Sequence, residues 1–358
     1  MNPVYGGSGE DAVASFVQGW LEERGIQFST HELVPGRRNV VARIGPLDAP
    51  ALLLEAHMDT VGVAGWANGS PFELQERSGR LYGRGACDTK ASLSCFMLTL
   101  DYFHRNPGEL SGALVFAASV DEESEQIGAY QLAELKRDLN IDRAITGEPT
   151  RSDVVSRHKG VGRYRIELGG KAAHGSTPHL GENAILKAAK VCAELGDLAD
   201  RLRAGPGEME IDLGSLNIGA IEGGIGFNVV PDRCVIDLDR RYGIRETPAD
   251  GRSQFEAICS RWQGARLESL IERPALTGEN SKAFVQSMLR AGRASGVAIE
   301  EREVAYMTNA VAYEEAGMQS LVFGPGDIAQ AHKNDEFIEV GEMERCLKIL
   351  RTLLRAEC

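Results

Sequence analysis

The sequence contains no apolar run long enough to cross a membrane, and residues 1–10 lack the basic and apolar segments of an export signal. It also lacks an excess of basic residues, because 39 Lys and Arg stand against 52 Asp and Glu, a formal net charge of −13. An acidic chain is poorly suited to nucleic acid or to an anionic membrane surface. We therefore expect a cytoplasmic protein that binds neither nucleic acid nor membranes.

Paired cysteines are missing as well. The seven cysteines stand singly, with no C-x-x-C pair and none of the spacing that marks small secreted domains. We expect reduced thiols rather than disulfides or a thiolate metal site. The residues concerned are Cys87, Cys95, Cys192, Cys234, Cys259, Cys346 and Cys358.

Four apolar runs, each typical of a buried parallel strand, are followed by metal-capable side chains. The runs cover residues 52–54, 113–120, 143–146 and 320–323. They lead to His57, to Glu122 and Glu123, to Glu148 and, after a short loop, to His332. Because the carboxyl ends of parallel strands form one edge of a sheet, we expect these side chains to meet.

Two aspartates lie beside these runs. Asp88 follows a turn that contains Gly83 and Gly85, and it precedes a helix with an apolar face. An aspartate there can be a simple helix cap, but the two glycines indicate a backbone held in an unusual path. Asp59 stands two residues after His57, where it can accept a hydrogen bond from one ring nitrogen while the other binds a metal.

The collected candidate ligands are two imidazoles and three carboxylates, namely His57, Asp88, Glu123, Glu148 and His332. This set suits zinc, with cobalt or manganese as alternatives. Five ligands are too many for one catalytic zinc that keeps a position open for water, but they suit two ions if one carboxylate bridges. We expect two divalent ions per subunit, and Glu122 is left free of them.

The segment 157–272 has a different pattern and predicts an inserted domain. Alternating strands at 163–168, 213–221, 233–242 and 265–271 and helices at 183–204 and 247–262 give the order β-α-β-β-α-β. This is the order of a ferredoxin-like unit. Residues 1–156 and 273–358 would then form one discontinuous catalytic domain, in keeping with a chain too long for a single core.

Five motifs, in this order and spacing, resemble the co-catalytic zinc family of acetylornithine deacetylase, succinyl-diaminopimelate desuccinylase, aminoacylase and glutamate carboxypeptidase. They are L-E-A-H-M-D (54–59), G-R-G-A-C-D-T-K (83–90), D-E-E (121–123), G-E-P-T (147–150) and G-P-G-D-I-A-Q-A-H (324–332), which span nearly the whole chain. The last motif most resembles the acetylornithine deacetylases. The resemblance implies an α/β fold, a zinc-peptidase-like α/β/α sandwich with an inserted ferredoxin-like α+β dimerisation domain.

The resemblance also implies a role for each candidate residue. Asp88 would bridge the two ions, His57 and Glu148 would complete one site, Glu123 and His332 the other, and Glu122 would be the general acid/base. The inserted domain would form a homodimer, in which His174 reaches into the partner's active site. Arg241 and Asn228 would hold the carboxylate and the backbone of the substrate.

The implied activity is removal of an acyl group from a small N-acylated amino acid such as N-acetylornithine. A desuccinylase and a dipeptidase or carboxypeptidase use the same site and remain open, as does a catalytically silent metal-binding scaffold. The chain departs from the deacetylases at Ala91, which replaces a glycine, and at Asn309, which stands where they have glutamate. We expect position 309 to touch the substrate side of the pocket.

Overall fold

The structure is a computed structural model that describes residues 1–66, 69–207 and 209–356. The chain forms two compact units. Unit 1 consists of Met1–Ser156, Gly278–Glu303 and Thr308–Cys358, and unit 2 consists of Arg157–Thr277 and Val304–Met307. The cysteines within the described residues are free thiols, and Cys358 lies outside those residues.

The helices and strands, in chain order, have the following bounds. The strands are β1 (Phe28–Val34), β2 (Arg37–Ile44), β3 (Ala51–His57), β4 (Gln75–Arg77), β5 (Arg80–Tyr82), β6 (Ala113–Ser119), β7 (Ile141–Thr146), β8 (Val154–His158), β9 (Gly160–Gly169), β10 (Ser215–Gly223), β11 (Arg233–Tyr242), β12 (Ala265–Arg273), β13 (Glu301–Val304), β14 (Gln319–Val322) and β15 (Phe337–Glu339). The helices are α1 (Asp11–Glu22), α2 (Lys90–Arg105), α3 (Ile127–Glu134), α4 (Ala184–Arg203), α5 (Pro248–Cys259), α6 (Lys282–Ala294), α7 (Ala310–Glu315) and α8 (Val340–Ala356).

Unit 1 is built around a sheet in the order β1-β2-β6-β3-β7-β14-β8-β13. Its central strands β6, β3, β7 and β14 run parallel to their neighbours in this group. These are the four strands that the apolar runs predict. Their carboxyl ends therefore lie along one edge of the sheet, as we expected from the sequence.

Both faces of this sheet are covered by helices, so every residue of β3 and β6 is buried. Successive side chains of a strand point to opposite faces. Leu52 and Leu54 of β3 join the apolar cluster that contains residues of α1, α2, α6 and α8. Leu53, between them, joins a second cluster with residues of α3 and α7. This layering confirms the predicted α/β/α sandwich.

Unit 2 contains an antiparallel sheet in the order β10-β11-β9-β12, with α4 and α5 packed on one face. The chain order is β-α-β-β-α-β, which confirms the ferredoxin-like topology. Local signals set the helix starts. Asn183 caps α4 by accepting from the Leu186 N–H, and Thr247 and Asp250 form a capping box at α5, where Pro248 takes the first helical position.

Parts of the fold have no clear pattern in the sequence. The polar segment before β3 contains the antiparallel pair β1 and β2, and β2 extends the main sheet beside β6. A small separate sheet is formed by β15, β5 and β4. Of the helices in the described ranges, none is both long enough and apolar enough to pass through a membrane.

His158 of unit 2 should make stability depend on pH. The side chain is completely buried, its Nδ1 lies 2.9 Å from the Lys159 carbonyl oxygen, and burial lowers its pKa from 6.5 to about 4. The unfolded chain therefore binds a proton that the folded chain does not bind between these values, so stability is present above pH 6.5 and falls as the pH decreases toward 4. At pH 5 the loss should be about 2 kcal/mol.

The measurement is chemical unfolding of the wild type and of His158→Gln at pH 7 and pH 5. We expect the variant to lose about 2 kcal/mol less than the wild type over this range. His179→Gln, a matched change at an exposed histidine of the same unit, should behave as the wild type. Equal pH dependence in His158→Gln and the wild type would contradict the assignment.

Candidate metal centre

The strand ends of unit 1 bring the candidate ligands to one place. His57 is the last residue of β3, while Glu123 and Glu148 follow β6 and β7 within a few residues. His332 lies in the loop after β14 and has a positive φ of 64°. Asp88 immediately precedes the Thr89 cap of α2, and the Asp88–Thr89 peptide bond is cis.

The first group of potential ligands consists of His57, Asp88 and Glu148, all of them buried. His57 Nε2 lies 3.1 Å from Asp88 Oδ1 and 3.8 Å from Glu148 Oε1. One ligand atom from each residue lies within 4.8 Å of the other two. Three side chains at this spacing can coordinate one ion with little rearrangement.

The second group consists of Asp88, Glu123 and His332 and meets the same 4.8 Å criterion. His332 Nε2 lies 3.4 Å from Asp88 Oδ2 and 3.3 Å from Glu123 Oε2. Asp88 thus directs Oδ1 toward the first group and Oδ2 toward the second. This is the arrangement that a carboxylate bridging two ions requires. The His332 side chain is 58% exposed, so the second group lies on the solvent side.

The charges of the cluster favour cations. Burial and the nearby Asp88 carboxylate hold the pKa of Glu148 well above its usual range. Hydrogen bonds to Asp88 and Glu123 raise the pKa of His332 to about 10. Burial opposes the effect at His57, but its contacts with Asp59 and Asp88 raise the pKa of this imidazole too. The raised pKa values of the two imidazoles come from the surrounding carboxylates, which favour positive charge, and bound dications would replace the protons.

Asp59 is placed to orient this cluster. Its Oδ1 lies 3.3 Å from His57 Nδ1, the ring nitrogen opposite the one that faces Asp88. It also accepts hydrogen bonds from the backbone N–H groups of Glu122 and Glu123, at 3.2 and 3.1 Å. A single buried carboxylate therefore positions one imidazole and the backbone of Glu122 and Glu123, two of the three acids that follow β6. Burial by itself would raise the pKa of Asp59, but the contact with His57 outweighs burial and the pKa is lowered.

Glu122 belongs to neither group of three. Its side chain lies beside the cluster, where burial raises its pKa well above the usual carboxyl range, with further contributions from Glu123, Asp88 and Asp59. The preceding residue, Asp121, has a φ of 70°, which turns the chain sharply after β6. This turn separates the two adjacent acids, so that Glu123 faces His332 while Glu122 stays free.

Several residues that support the cluster are not marked by any local pattern in the sequence. Asn2 donates hydrogen bonds to both Asp59 and Asp121. Arg37 pairs with Glu10 and with Asp121 Oδ1, at 2.6 and 2.7 Å. These bonds join the N-terminal segment and β2 to the turn that carries Glu122. All are formed between residues distant in sequence, which explains why no local pattern predicts them.

Glu336 holds the loop that carries Asp88. It is completely buried and accepts hydrogen bonds from the backbone N–H groups of Gly85, Cys87 and Asp88, at 2.7–2.9 Å. Glu336 Oε2 also accepts a hydrogen bond from Arg84 Nη1, at 2.7 Å. The glycines that we associated with an unusual backbone path therefore lie in a loop wrapped around one carboxylate.

Replacing Glu336 with Gln should weaken metal binding. The amide keeps one acceptor oxygen, but its NH₂ group replaces the other oxygen and faces N–H donors. Part of the loop therefore loses its acceptor, and Asp88 is held less firmly. Outer residues of this kind typically contribute 10- to 100-fold to metal affinity. We expect about that increase in the zinc dissociation constant in a chelator competition titration. Glu339→Gln, an exposed acid of the neighbouring β15, is the control, and equal affinities would contradict the role of Glu336.

The expectation that Asn309 touches the substrate is wrong. The residue is completely buried, and its Nδ2 donates to Glu55 Oε1 at 3.0 Å while its Oδ1 accepts from Gln126 at 3.1 Å. Ser119 donates to the same Glu55 oxygen. Position 309 thus belongs to a polar network behind β3, because the buried Glu55 carboxyl requires donors there.

The three candidate residues of unit 2 fall into two places. His174 and Asn228 lie on adjoining segments, joined by a bridge between His174 and Val229 and by a 2.8 Å hydrogen bond from Gly175 N–H to the Asn228 carbonyl. His174 is exposed, and its Nδ1 accepts from the Ser176 N–H, which leaves Nε2 as the donor nitrogen. Arg241 lies on β11, where its guanidinium pairs with Asp239 at 2.7 Å.

Comparison with known proteins places these features in a family. The model of peptidase family M20/M25/M40 matches residues 53–356. An acetylornithine deacetylase of Myxococcus xanthus is 32% identical over 86% of this chain and 80% of its own length. A probable succinyl-diaminopimelate desuccinylase of Staphylococcus aureus (strain N315) is 27% identical over 91% and 88%. The M20 metallo-carboxypeptidase Sso-CP2 from Sulfolobus solfataricus has the same fold, with a TM-score of 0.78 and 17% identity over 97% and 94%.

Proposed function

The chain belongs to peptidase family M20/M25/M40 and is a metal-dependent hydrolase of amide bonds, and we propose that it deacylates N-acylated amino acids, N-acetylornithine in particular. The observation that carries the proposal is the division of Asp88 between two groups of ligands while Glu122 remains free beside them. The 32% identity to an acetylornithine deacetylase favours this substrate class.

We infer that the site holds two divalent ions, zinc first among the candidates. The donors are two imidazoles and three carboxylates, which are ligands that zinc accepts, and the described site offers no thiolate to favour a softer metal. His57, Asp88 and Glu148 would hold one ion, and Asp88, Glu123 and His332 the other. When bound, such ions polarise a carbonyl and bring the pKa of bound water to about 7.

The side chains then divide the reaction between them. Glu122 would remove the proton from the attacking water and return it to the departing amine, because it lies beside the cluster without being used as a ligand. Asp59 would keep His57 in the ligating tautomer through its contact with Nδ1. His174 would donate a hydrogen bond from Nε2 to the oxyanion. This nitrogen is available because the Ser176 N–H occupies Nδ1. Arg241 and Asn228 would bind the carboxylate and backbone of the substrate.

Two related substrates compete with N-acetylornithine. A succinylated diamino acid is favoured by the similarity to the S. aureus protein, and a peptide by the shared fold of Sso-CP2. The discriminating experiment is a hydrolysis panel of N-acetylornithine, N-acetylcitrulline, succinyl-diaminopimelate and simple dipeptides with the zinc-loaded protein. We expect kcat/KM to be highest for N-acetylornithine. A higher kcat/KM for another compound of the panel would make that compound the preferred substrate. If no compound is hydrolysed although two zincs are bound, a catalytically silent scaffold is favoured.

We also propose that unit 2 forms a homodimer and that each active site uses His174 of the other subunit. In unit 2, the loop next to Asn228 carries Ile225, 90% exposed, and the fully exposed Phe227. Two large apolar side chains exposed together are typical of a contact surface. A second copy of the chain would cover them in a symmetric pair.

Mixing two inactive variants tests the shared site. A subunit with His174→Ala keeps Glu122, and a subunit with Glu122→Gln keeps His174, so a heterodimer contains one complete site of the two. We expect each variant alone to be nearly inactive and an isolated heterodimer, purified by two different tags, to recover about half of the wild-type kcat. No recovery in the purified heterodimer would contradict a site shared between subunits.

A further inference from the structure

The turn that carries Glu122 is held by two residues that are distant in the sequence, Asn2 and Arg37. We infer that both are positioning residues for the hydrolysis: they fix the backbone on either side of Glu122 and thereby place its carboxyl group relative to the metal ligands. The inference rests on the proposed role of Glu122 as the general acid/base. It assigns a part in the reaction to two residues outside the set of ligands.

Asp121, the residue directly before Glu122, is held in an unfavourable backbone conformation. Its φ is 70°, in the left-handed region that residues with a side chain enter only at a cost. Such a conformation persists where the surrounding contacts determine it. Asp121 Oδ1 accepts hydrogen bonds from Arg37 Nη2 at 2.7 Å and from Asn2 Nδ2 at 3.1 Å. Its other polar atoms are hydrogen-bonded to Glu10, Glu125 and Gln126.

Arg37 provides a rigid support for this turn. Its Nε and Nη2 donate to the two oxygens of Glu10, at 2.8 and 2.6 Å, and Nη2 also donates to Asp121. The Glu10 side chain is completely buried and that of Arg37 is 14% exposed, so water does little to weaken the pairing. A guanidinium fixed by two bonds to one carboxylate has a defined orientation, which the third bond transmits to Asp121.

Asn2 also holds the chain through Asp59. Its Nδ2 donates to Asp59 Oδ2 at 2.8 Å as well as to Asp121, and Asp59 in turn accepts the Glu122 N–H at 3.2 Å. The Asn2 amide therefore lies between two buried carboxylates, which would repel one another without it. Asn2 Oδ1 accepts from the Val4 N–H at 3.0 Å, which agrees with this orientation of the amide.

Replacing Asn2 with aspartate tests the inference, because the change keeps the shape of the side chain and the acceptor for the Val4 N–H but removes both donors. Three carboxylates would then face one another, and the turn would shift. In the zinc-saturated full chain we expect kcat to fall about 10- to 100-fold, with KM within about twofold of the wild type and two zincs still bound per chain. Asn140→Asp, the same change at an exposed residue, should leave kcat unchanged.

A second comparison shows whether Asn2 acts through Glu122. In a chain that already carries Glu122→Gln, adding Asn2→Asp should lower kcat by less than about twofold further, because the group that Asn2 positions no longer transfers protons. A residue that only stabilises the fold, or that acts through the bound metal, lowers kcat by the same factor in both backgrounds. Equal factors would overturn the proposal.

Arg37→Lys is the second variant, and it decides the question by the same two comparisons if Asn2→Asp does not fold. Lysine keeps the positive charge beside Asp121 but loses the planar two-bond contact, so we expect kcat to fall about tenfold. Arg38→Lys is the control for this change and should have no effect, because Arg38 pairs with the exposed Asp11.

The outcomes separate this inference from the proposed function. An unchanged kcat in folded Asn2→Asp and Arg37→Lys, while Glu122→Gln is inactive, would contradict the positioning role alone. Retained activity in Glu122→Gln would contradict the acid/base role on which the inference rests.

Discussion

Replacing Glu122 with glutamine should lower kcat by about 10³- to 10⁴-fold, while the protein still binds two zincs per chain. Glu122 lies outside both groups of ligands, so its carboxylate is not required for coordination. A positioned general acid/base typically contributes 10²- to 10⁴-fold, and here the same group would act on both the attacking water and the leaving amine. Glutamine keeps the shape of the side chain but does not accept a proton.

The measurement combines steady-state kinetics with metal analysis of the same samples. Glu125→Gln is the matched control, because it makes the same change at an exposed acid three residues further along the chain, and kcat should remain at the wild-type value. A Glu122→Gln protein that contains two zincs and retains most of its activity would rule out the proposed acid/base role. Loss of zinc in this variant would instead make Glu122 a ligand, which also contradicts the proposal.

Replacing Asp88 with alanine should abolish activity and reduce zinc content below one ion per chain. Asp88 contributes Oδ1 to the group with His57 and Oδ2 to the group with His332, at 3.1 and 3.4 Å, so its loss removes a ligand from both. With fewer zinc ions bound, the carboxylates of Glu123 and Glu148 would lack the positive charge that offsets their mutual repulsion. We expect kcat/KM to fall more than in Glu122→Gln, by at least about 10⁴-fold.

Glu148→Gln is the informative comparison for this variant, because Glu148 belongs to the first group alone. It should retain about one zinc per chain, whereas Asp88→Ala should retain less. Zinc content can be measured by mass spectrometry after gel filtration, with circular dichroism to show that both variants are folded. Asp88→Ala with two tightly bound zincs would disprove the bridging role.

The main features of the fold could be predicted because they depend on local patterns. The strands β3, β6, β7 and β14 each contain a short run of apolar residues, which suits a strand covered on both faces, and polar residues follow each run. The alternation in β9 and β11 likewise matches a sheet with one covered face. His57, Glu122, Glu123 and Glu148 lie close to strand ends, so the position of the strand also fixes the position of the side chain.

The supporting residues could not be predicted, because their partners are distant in the sequence. Glu336 binds three backbone N–H groups about 250 residues earlier, and an acceptor for backbone donors leaves no pattern in either segment. Asn309 is similar: the resemblance to the deacetylases led us to expect a substrate contact at this position, whereas the buried Glu55 carboxyl determines its environment. The sequence identified polar residues at strand ends but not which of them bind each other.

A crystal structure of the zinc-loaded protein, with anomalous data collected at the zinc edge, would test whether two ions share Asp88. We predict two zinc peaks that share Asp88, one about 2.0–2.2 Å from ligand atoms of His57, Asp88 and Glu148, the other at the same distance from Asp88, Glu123 and His332. Glu122 should contact neither ion directly. A single peak, peaks that do not share Asp88, or zinc bound away from these six side chains would contradict the account.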